Sequence, residues 1–214
     1  MEGRTGEALY ADDPITDAAL RLFAEIGYDN VTGRMIANAA GVSLEDVHER
    51  GGKVALYRKI IEDFYRLQND LLDSLEGSFP RDAEKAHWFA SQVLDFYLDH
   101  PYAMAVWQHR GLRDAQDLAD LDDLYLRPVF RRTTEFAGPE IVGLPDYMMW
   151  ANMVIWSMRG FLFGGVVKGD GTVVAPDTLE GRRLYREHVR RLLDLVLGAG
   201  MLDRLPPEDD QAES

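Results

Sequence analysis

The stretch Thr32–Leu56, TGRMIANAAGVSLEDVHERGGKVAL, decides the fold. It reads as two short helices joined by a tight turn, followed by the start of a third. The Thr32 hydroxyl is placed to cap a helix running through Arg34, Ile36 and Ala39. Gly41 stops that helix, because glycine takes the left-handed backbone a sharp end requires. Ser43 caps the next helix, and Asp46, three residues on, stands in the capping-box position. Val42 and Val47 face back onto Ile36. This spacing is the skeleton of a helix-turn-helix, whose second helix normally enters a DNA major groove.

The residues upstream complete the unit. Ile15, Ala18, Ala19, Leu22, Phe23 and Ile26 recur at helical spacing and give one apolar stripe. Asp13-Pro14 is a helix start and Gly27 a stop. Residues 13–50 therefore form a three-helix cluster whose first helix supplies most of a small core.

With these residues in place, ITDAALRLFAEIGYDNVTGRMIANAAGVS resembles the amino-terminal domain of the TetR family of transcriptional regulators. The matching positions are Phe23, Ala24, Glu25, Gly27, Tyr28, Thr32, Ile36, Ala37, Ala40, Gly41, Val42 and Ser43. Lys53 and Leu56 match the start of that family's fourth helix. The resemblance implies an all-α chain: a three-helix head that binds DNA and a helical domain that binds a ligand and dimerises. It also implies DNA contacts at Thr32, Arg34, Ser43, Leu44, His48 and Lys53. Of these, Thr32, Ser43 and Lys53 would serve phosphates, and Arg34, Leu44 and His48 bases or backbone.

The recognition helix departs from the family pattern. After Ser43 the family usually shows a small or basic residue and Leu-Tyr-x-x-Phe; here the run is Leu44, Glu45, Asp46, Val47, His48, Glu49, Arg50, Gly51, Gly52. His48 stands where the aromatic is expected, the Phe is missing, and the segment is one residue short. Three carboxylates repel phosphate, whose neutralisation dominates DNA affinity. Acids in a first turn also favour the helix dipole, by roughly 0.3–1 kcal/mol, which explains the helix but not DNA binding.

Composition narrows the classes. The chain has 214 residues and 46% hydrophobic content, enough for one large or two small domains. It has no cysteine, which excludes disulfides, thiolate metal sites and a cysteine nucleophile. The first residues carry no apolar signal core and no apolar run reaches about 18 residues, so neither secretion nor a membrane span is expected, and the location expected is the cytoplasm. Net charge is −14, and residues 1–59 hold ten acids against seven bases. Binding to DNA would thus need a local basic face rather than the field of the whole chain.

Further along, Lys53–Leu75 reads as a long helix, which the resemblance makes the link between head and body. Helices are expected over Asp82–Asp99, Tyr102–Leu112, Leu121–Phe136 (bent at Pro128), Pro145–Val167 and Thr178–Leu197. Pro145–Val167 is apolar almost all round and is expected to be buried on every side. Lys168–Asp177 reads as a turn-rich loop. The expected division is a flexible arm over 1–12, the helix-turn-helix head over 13–52, a helical ligand-binding and dimerisation domain over 53–203, and an acidic disordered tail over 204–214.

The last two long helices are expected to pair with their copies in a homodimer, since the Pro145–Val167 helix has more apolar faces than one small domain covers. A ligand pocket is expected between the helices of residues 82–163, for a hydrophobic or aromatic small-molecule effector. Its candidates are Trp88, Tyr97, Met104, Trp107, His109, Arg110, Trp150, Asn152, Met153, Trp156 and Arg159. For any single aromatic, plain core is the competing role. Arg159 needs either a salt-bridge partner or an anionic ligand. His48 with Glu45 and Glu49 lacks the further ligands of a metal site, and no catalytic or phosphate-loop motif is present. No cofactor and no enzymatic activity are expected. Two functional readings stay open: a ligand-responsive regulator, most simply a repressor bound to operator DNA as a dimer, and a protein of the same fold whose acidic head no longer binds DNA and which acts as a small-molecule-binding or protein-interaction module.

Overall fold

The computed structural model describes residues 9–76, 84–137, 142 and 147–198. Within these the chain is all-α apart from one short hairpin. Residues 1–8 of the expected arm and the whole expected tail, 204–214, lie outside the described residues.

Helix α1 (Pro14–Ile26) starts where Asp13 accepts hydrogen bonds from the Thr16 N–H at 3.3 Å and the Thr16 hydroxyl at 2.8 Å. Helix α2 (Gly33–Ala40) is capped by the Thr32 hydroxyl, which accepts from Met35 N at 3.3 Å, and ends at Gly41 with φ 70°. Helix α3 (Leu44–Glu49) carries the full capping box. Asp46 N donates to Ser43 Oγ at 3.1 Å, and Ser43 N donates to Asp46 Oδ2 at 2.8 Å. It ends at Glu49, with Arg50 as its cap. Gly51 and Gly52 follow, both at positive φ (84° and 71°), and turn the chain into α4 (Gly52–Leu75). A side chain at Gly51 would also meet the Ala55 Cβ at 2.6 Å, so two glycines make the turn at the point where the expected Phe is missing.

The core of this head is aromatic at its centre. Phe23, Tyr28 and Tyr57 pack with centroids 4.7–5.8 Å apart, and Ile36 and Val47 close the underside. Fully burying a side chain such as Phe23 contributes about 2–3 kcal/mol. The same cluster continues along α4 through Ile60, Ile61 and Phe64 to α6 (Pro101–Arg110) and on to Leu118 and Leu121. The head thus shares its core with the first body helices.

The body adds α5 (Glu84–Asp99), a 3₁₀ turn at Gln116–Leu118, α7 (Arg127–Ala137), α8 (Tyr147–Gly164) and α9 (Leu179–Gly198). A second core joins Leu94 and Leu98 of α5, Met104 of α6, Met158 and Phe161 of α8, and Tyr185 and Val189 of α9. Phe161 and Tyr185 stack at 4.5 Å, and Arg182 and Arg186 of α9 pair with Asp99 and Asp95 of α5.

Three details differ from the sequence reading. The bend expected at Pro128 is taken up one turn earlier, by a π-helical segment at Asp122–Leu126, where Arg127 N reaches back to Asp122 O. A widened turn relieves the clash of the proline ring with the preceding turn. The expected loop after α8 is a two-stranded antiparallel hairpin, β1 (Val166–Val167) with β2 (Val173–Val174), pairing Val166 with Val174. Gly165, at φ 65°, permits it, since a Cβ there would stand 2.3 Å from Val174 O. Finally, α8 is buried on one side only in the single chain: Met148, Met149, Met153, Trp156 and Phe163 are exposed.

Candidate DNA-binding and ligand-binding sites

The exposed side of the head presents Arg34, Ser43, Glu45, Asp46, His48 and Glu49, while Val47 is buried and Leu44 half-buried against the start of α2. The Ser43 hydroxyl is occupied by Asp46, to which it donates at 2.7 Å, and that bond together with the backbone bond from Ser43 holds the Asp46 carboxyl below its ordinary range. The cations nearby are mostly engaged. Arg50 pairs with Asp13 at 2.9 Å. Lys53 donates to the Tyr28 carbonyl at 3.0 Å and lies 3.9 Å from the centre of the Tyr28 ring, an internal cation–π contact. Arg34 is exposed and has no ion pair or hydrogen bond among the described residues.

The α1–α2 loop is clasped by the segment after α6. The Asp114 carboxylate accepts from Tyr28 N at 2.7 Å and from Asp29 N at 2.9 Å, and Ala115 N donates back to Asp29 at 3.3 Å. His109 Nε2 donates to Ala24 O at 3.0 Å. Arg113 and Ala115, neither a glycine, take positive φ (70° and 56°) to bring Asp114 into place, a local strain the clasp must outweigh. Arg110 lies beside it, with Nε bonded to Asp122 at 2.8 Å and Nη2 to Leu118 O at 3.1 Å. Nothing in the sequence marks Asp114, because its partners are backbone groups some 85 residues away.

An apolar cavity of about 140 Å³ lies between α5, α6, α7, α8 and α9. Tyr97, Trp107, Trp150 and Asn152 line it, as the sequence reading expects. The other seven candidates stand elsewhere. Trp88 packs with Leu72, Leu75 and Phe89 at the end of α4, and Met104 is second-core packing. His109 bonds instead to Ala24 O in the head, and Arg110 to Asp122 and Leu118 O beyond α6. Met153 and Trp156 lie on the outer face of α8, opposite Ala151, Val154, Ile155 and Met158, which do line the cavity. Arg159 is half-buried, has neither a lining position nor an ion pair among the described residues, and so lacks the expected salt bridge. The walls the sequence reading missed come from α7 and α9: Val129, Thr133, Val189 and Leu193. Their spacing is that of ordinary core residues, so no sequence signal separates the two roles.

A capped three-helix unit with its third helix, α3, turned outward is a head of the helix-turn-helix class. The sequence model of the family described as bacterial regulatory proteins, tetR family, matches residues 15–45. The match covers the head alone, from the start of α1 into α3, and supports a transcriptional regulator of this family. No curated protein matches the chain. Among the described residues no helix is long and apolar enough to cross a membrane, and none of their acidic or histidine side chains group into a metal site.

Proposed function

We propose that the protein is a ligand-responsive repressor that binds operator DNA as a homodimer in the cytoplasm and is released by a hydrophobic small molecule. The observation that carries the reading is the outward-facing α3, fixed by its capping box and flanked by the uncommitted Arg34. In this reading residues 13–52 are the DNA-binding head and 53–203 the ligand-binding and dimerisation domain, with an arm at 1–12 and a tail at 204–214. Arg34, Leu44 and His48 approach bases or backbone, and Thr32, Ser43 and Lys53 the phosphates. Lys53 would leave Tyr28 to do so. The exposed stripe of Met149, Met153, Trp156 and Phe163 on α8, interrupted by the open Gly160, meets its copy in the dimer. The cavity takes the effector, and the protein is not an enzyme.

One observation favours a second reading, in which the head no longer binds DNA and the protein acts as a ligand-binding or interaction module. Arg50 and Lys53 are both spent on internal contacts while Glu45, Asp46 and Glu49 face outward. A mobility-shift titration of the chain on its own upstream duplex separates the two. A specific complex that is lost in Arg34→Ala supports the repressor; no complex with either protein supports the module.

A further inference from the structure

The effector cavity has a definite chemistry. None of the described residues lining it is charged; its walls are aliphatic and aromatic, with hydroxyls, one amide and two indole N–H groups as polar groups. Burying an ionised ligand there without a counter-charge would be prohibitive. Its volume, about 140 Å³, is close to that of an engineered apolar cavity of about 150 Å³ that holds benzene in an unrelated protein.

The polar groups on the wall are unequal. Thr133 and Thr134 donate their hydroxyl protons to Val129 O and Phe130 O at 2.8 Å, and Asn152 donates to Met148 O at 2.7 Å. The threonine protons, and one of the two Asn152 N–H groups, are committed within their own helices. Two further donors belong to the α5 and α6 side of the wall. Trp107 Nε1 is buried and has no hydrogen-bond partner. The Tyr97 hydroxyl accepts from Gln68 Nε2 at 2.9 Å, which leaves its own proton free, and burial keeps it a neutral phenol by pushing its pKa up. A buried donor left unmet is costly, so an acceptor on the ligand would be rewarded at this wall.

Building on the effector reading above, we propose that the cavity selects an uncharged, single-ring aromatic molecule bearing a carbonyl-type acceptor, with Trp107 Nε1–H and the Tyr97 O–H as the donors that recognise the acceptor. A carboxylate analogue is disfavoured because the described lining residues carry no counter-charge, and a fused-ring or long-chain molecule by volume.

Calorimetric titration of the full chain with acetophenone, toluene, benzoate and decanoate tests this. Acetophenone is expected to bind at least tenfold more tightly than toluene, with benzoate and decanoate not binding. Trp107→Phe, which keeps the ring packing on Phe64, is expected to weaken acetophenone about tenfold and toluene less than twofold. Tyr97→Phe serves as the second variant should Trp107→Phe melt early. Tight decanoate or benzoate binding, or equal loss of acetophenone and toluene in Trp107→Phe, would overturn the ligand class while leaving the effector site standing. If none of the four probes binds and Ala151→Phe, which fills the cavity, changes neither melting temperature nor DNA affinity, the effector reading itself fails.

Discussion

Replacing Asp114 with alanine removes the clasp between body and head. Its carboxylate accepts two backbone N–H bonds, from Tyr28 and Asp29, and no other side chain replaces it there. Hydrogen bonds to a charged acceptor contribute about 1.5–3 kcal/mol each. Asp29 lies at the exposed edge and regains water, whereas Tyr28 is buried and its N–H does not. The net loss is thus nearer one such bond than two, about 2 kcal/mol. Part is returned, because Arg113 and Ala115 can relax from their positive φ once Asp114 is gone. For a chain of this size 1 kcal/mol shifts the melting temperature by roughly 2–4 °C, so Asp114→Ala is expected to melt about 4–8 °C lower. Asp114→Asn keeps one good acceptor and should fall between. Differential scanning calorimetry at neutral pH measures both. A melting temperature within 1 °C of the parent would refute the idea that this carboxylate ties head to body.

Other consequences follow from the same geometry. Removing two acids from the recognition helix, as Glu45→Gln/Glu49→Gln, should raise affinity for any duplex about tenfold at low salt, the gain shrinking as salt screens it; anisotropy at two salt concentrations reads this. Trp156→Glu places a charge in the exposed α8 stripe and should convert the dimer to monomer, which light scattering after gel filtration detects directly. Acid should loosen the head before neutral or alkaline conditions do. Burial pushes the Asp13 carboxyl up, but bonds from the Thr16 hydroxyl and N–H and the Arg50 guanidinium outweigh it, and the carboxyl sits below its ordinary value. Asp46 is likewise lowered, chiefly by the Ser43 hydroxyl. A carboxyl lowered on folding stabilises fully above the ordinary aspartate range, near pH 4, and loses that contribution as pH falls through its folded value. Melting curves from pH 7 to 3 should therefore be flat down to about pH 5 and fall below it, and Asp13→Asn should flatten part of the fall.

The head was legible because its determinants are local. Thr32, Gly41, Ser43 and Asp46 act within three or four residues of themselves, and each cap stands where its spacing puts it. The shortened α3 was legible too, as a missing Phe, although the Gly51-Gly52 turn that accommodates it shows only in the backbone angles. The cavity was half legible. Large apolar residues on α5, α6 and α8 are visible as a class, but which turn of each helix faces inward is set by packing. Trp107 therefore lines the cavity while, in the same short helix, His109 bonds to the head and Arg110 to Asp122. The hairpin escaped notice because two valines on each side of Asp170-Gly171 are too few to show a strand period. The Asp114 clasp and the internal use of Lys53 are long-range contacts to backbone, which leave no trace in composition or spacing.

The central claim is that an acidic recognition helix still reads DNA. Fluorescence anisotropy of the full chain against its labelled upstream duplex, at low and at physiological salt and beside a scrambled duplex, tests it most directly. The account predicts saturable binding that prefers the native duplex and weakens as salt rises, because phosphate contacts release counterions. Absence of binding to either duplex, even at low salt, would contradict it and leave the cavity as the seat of function.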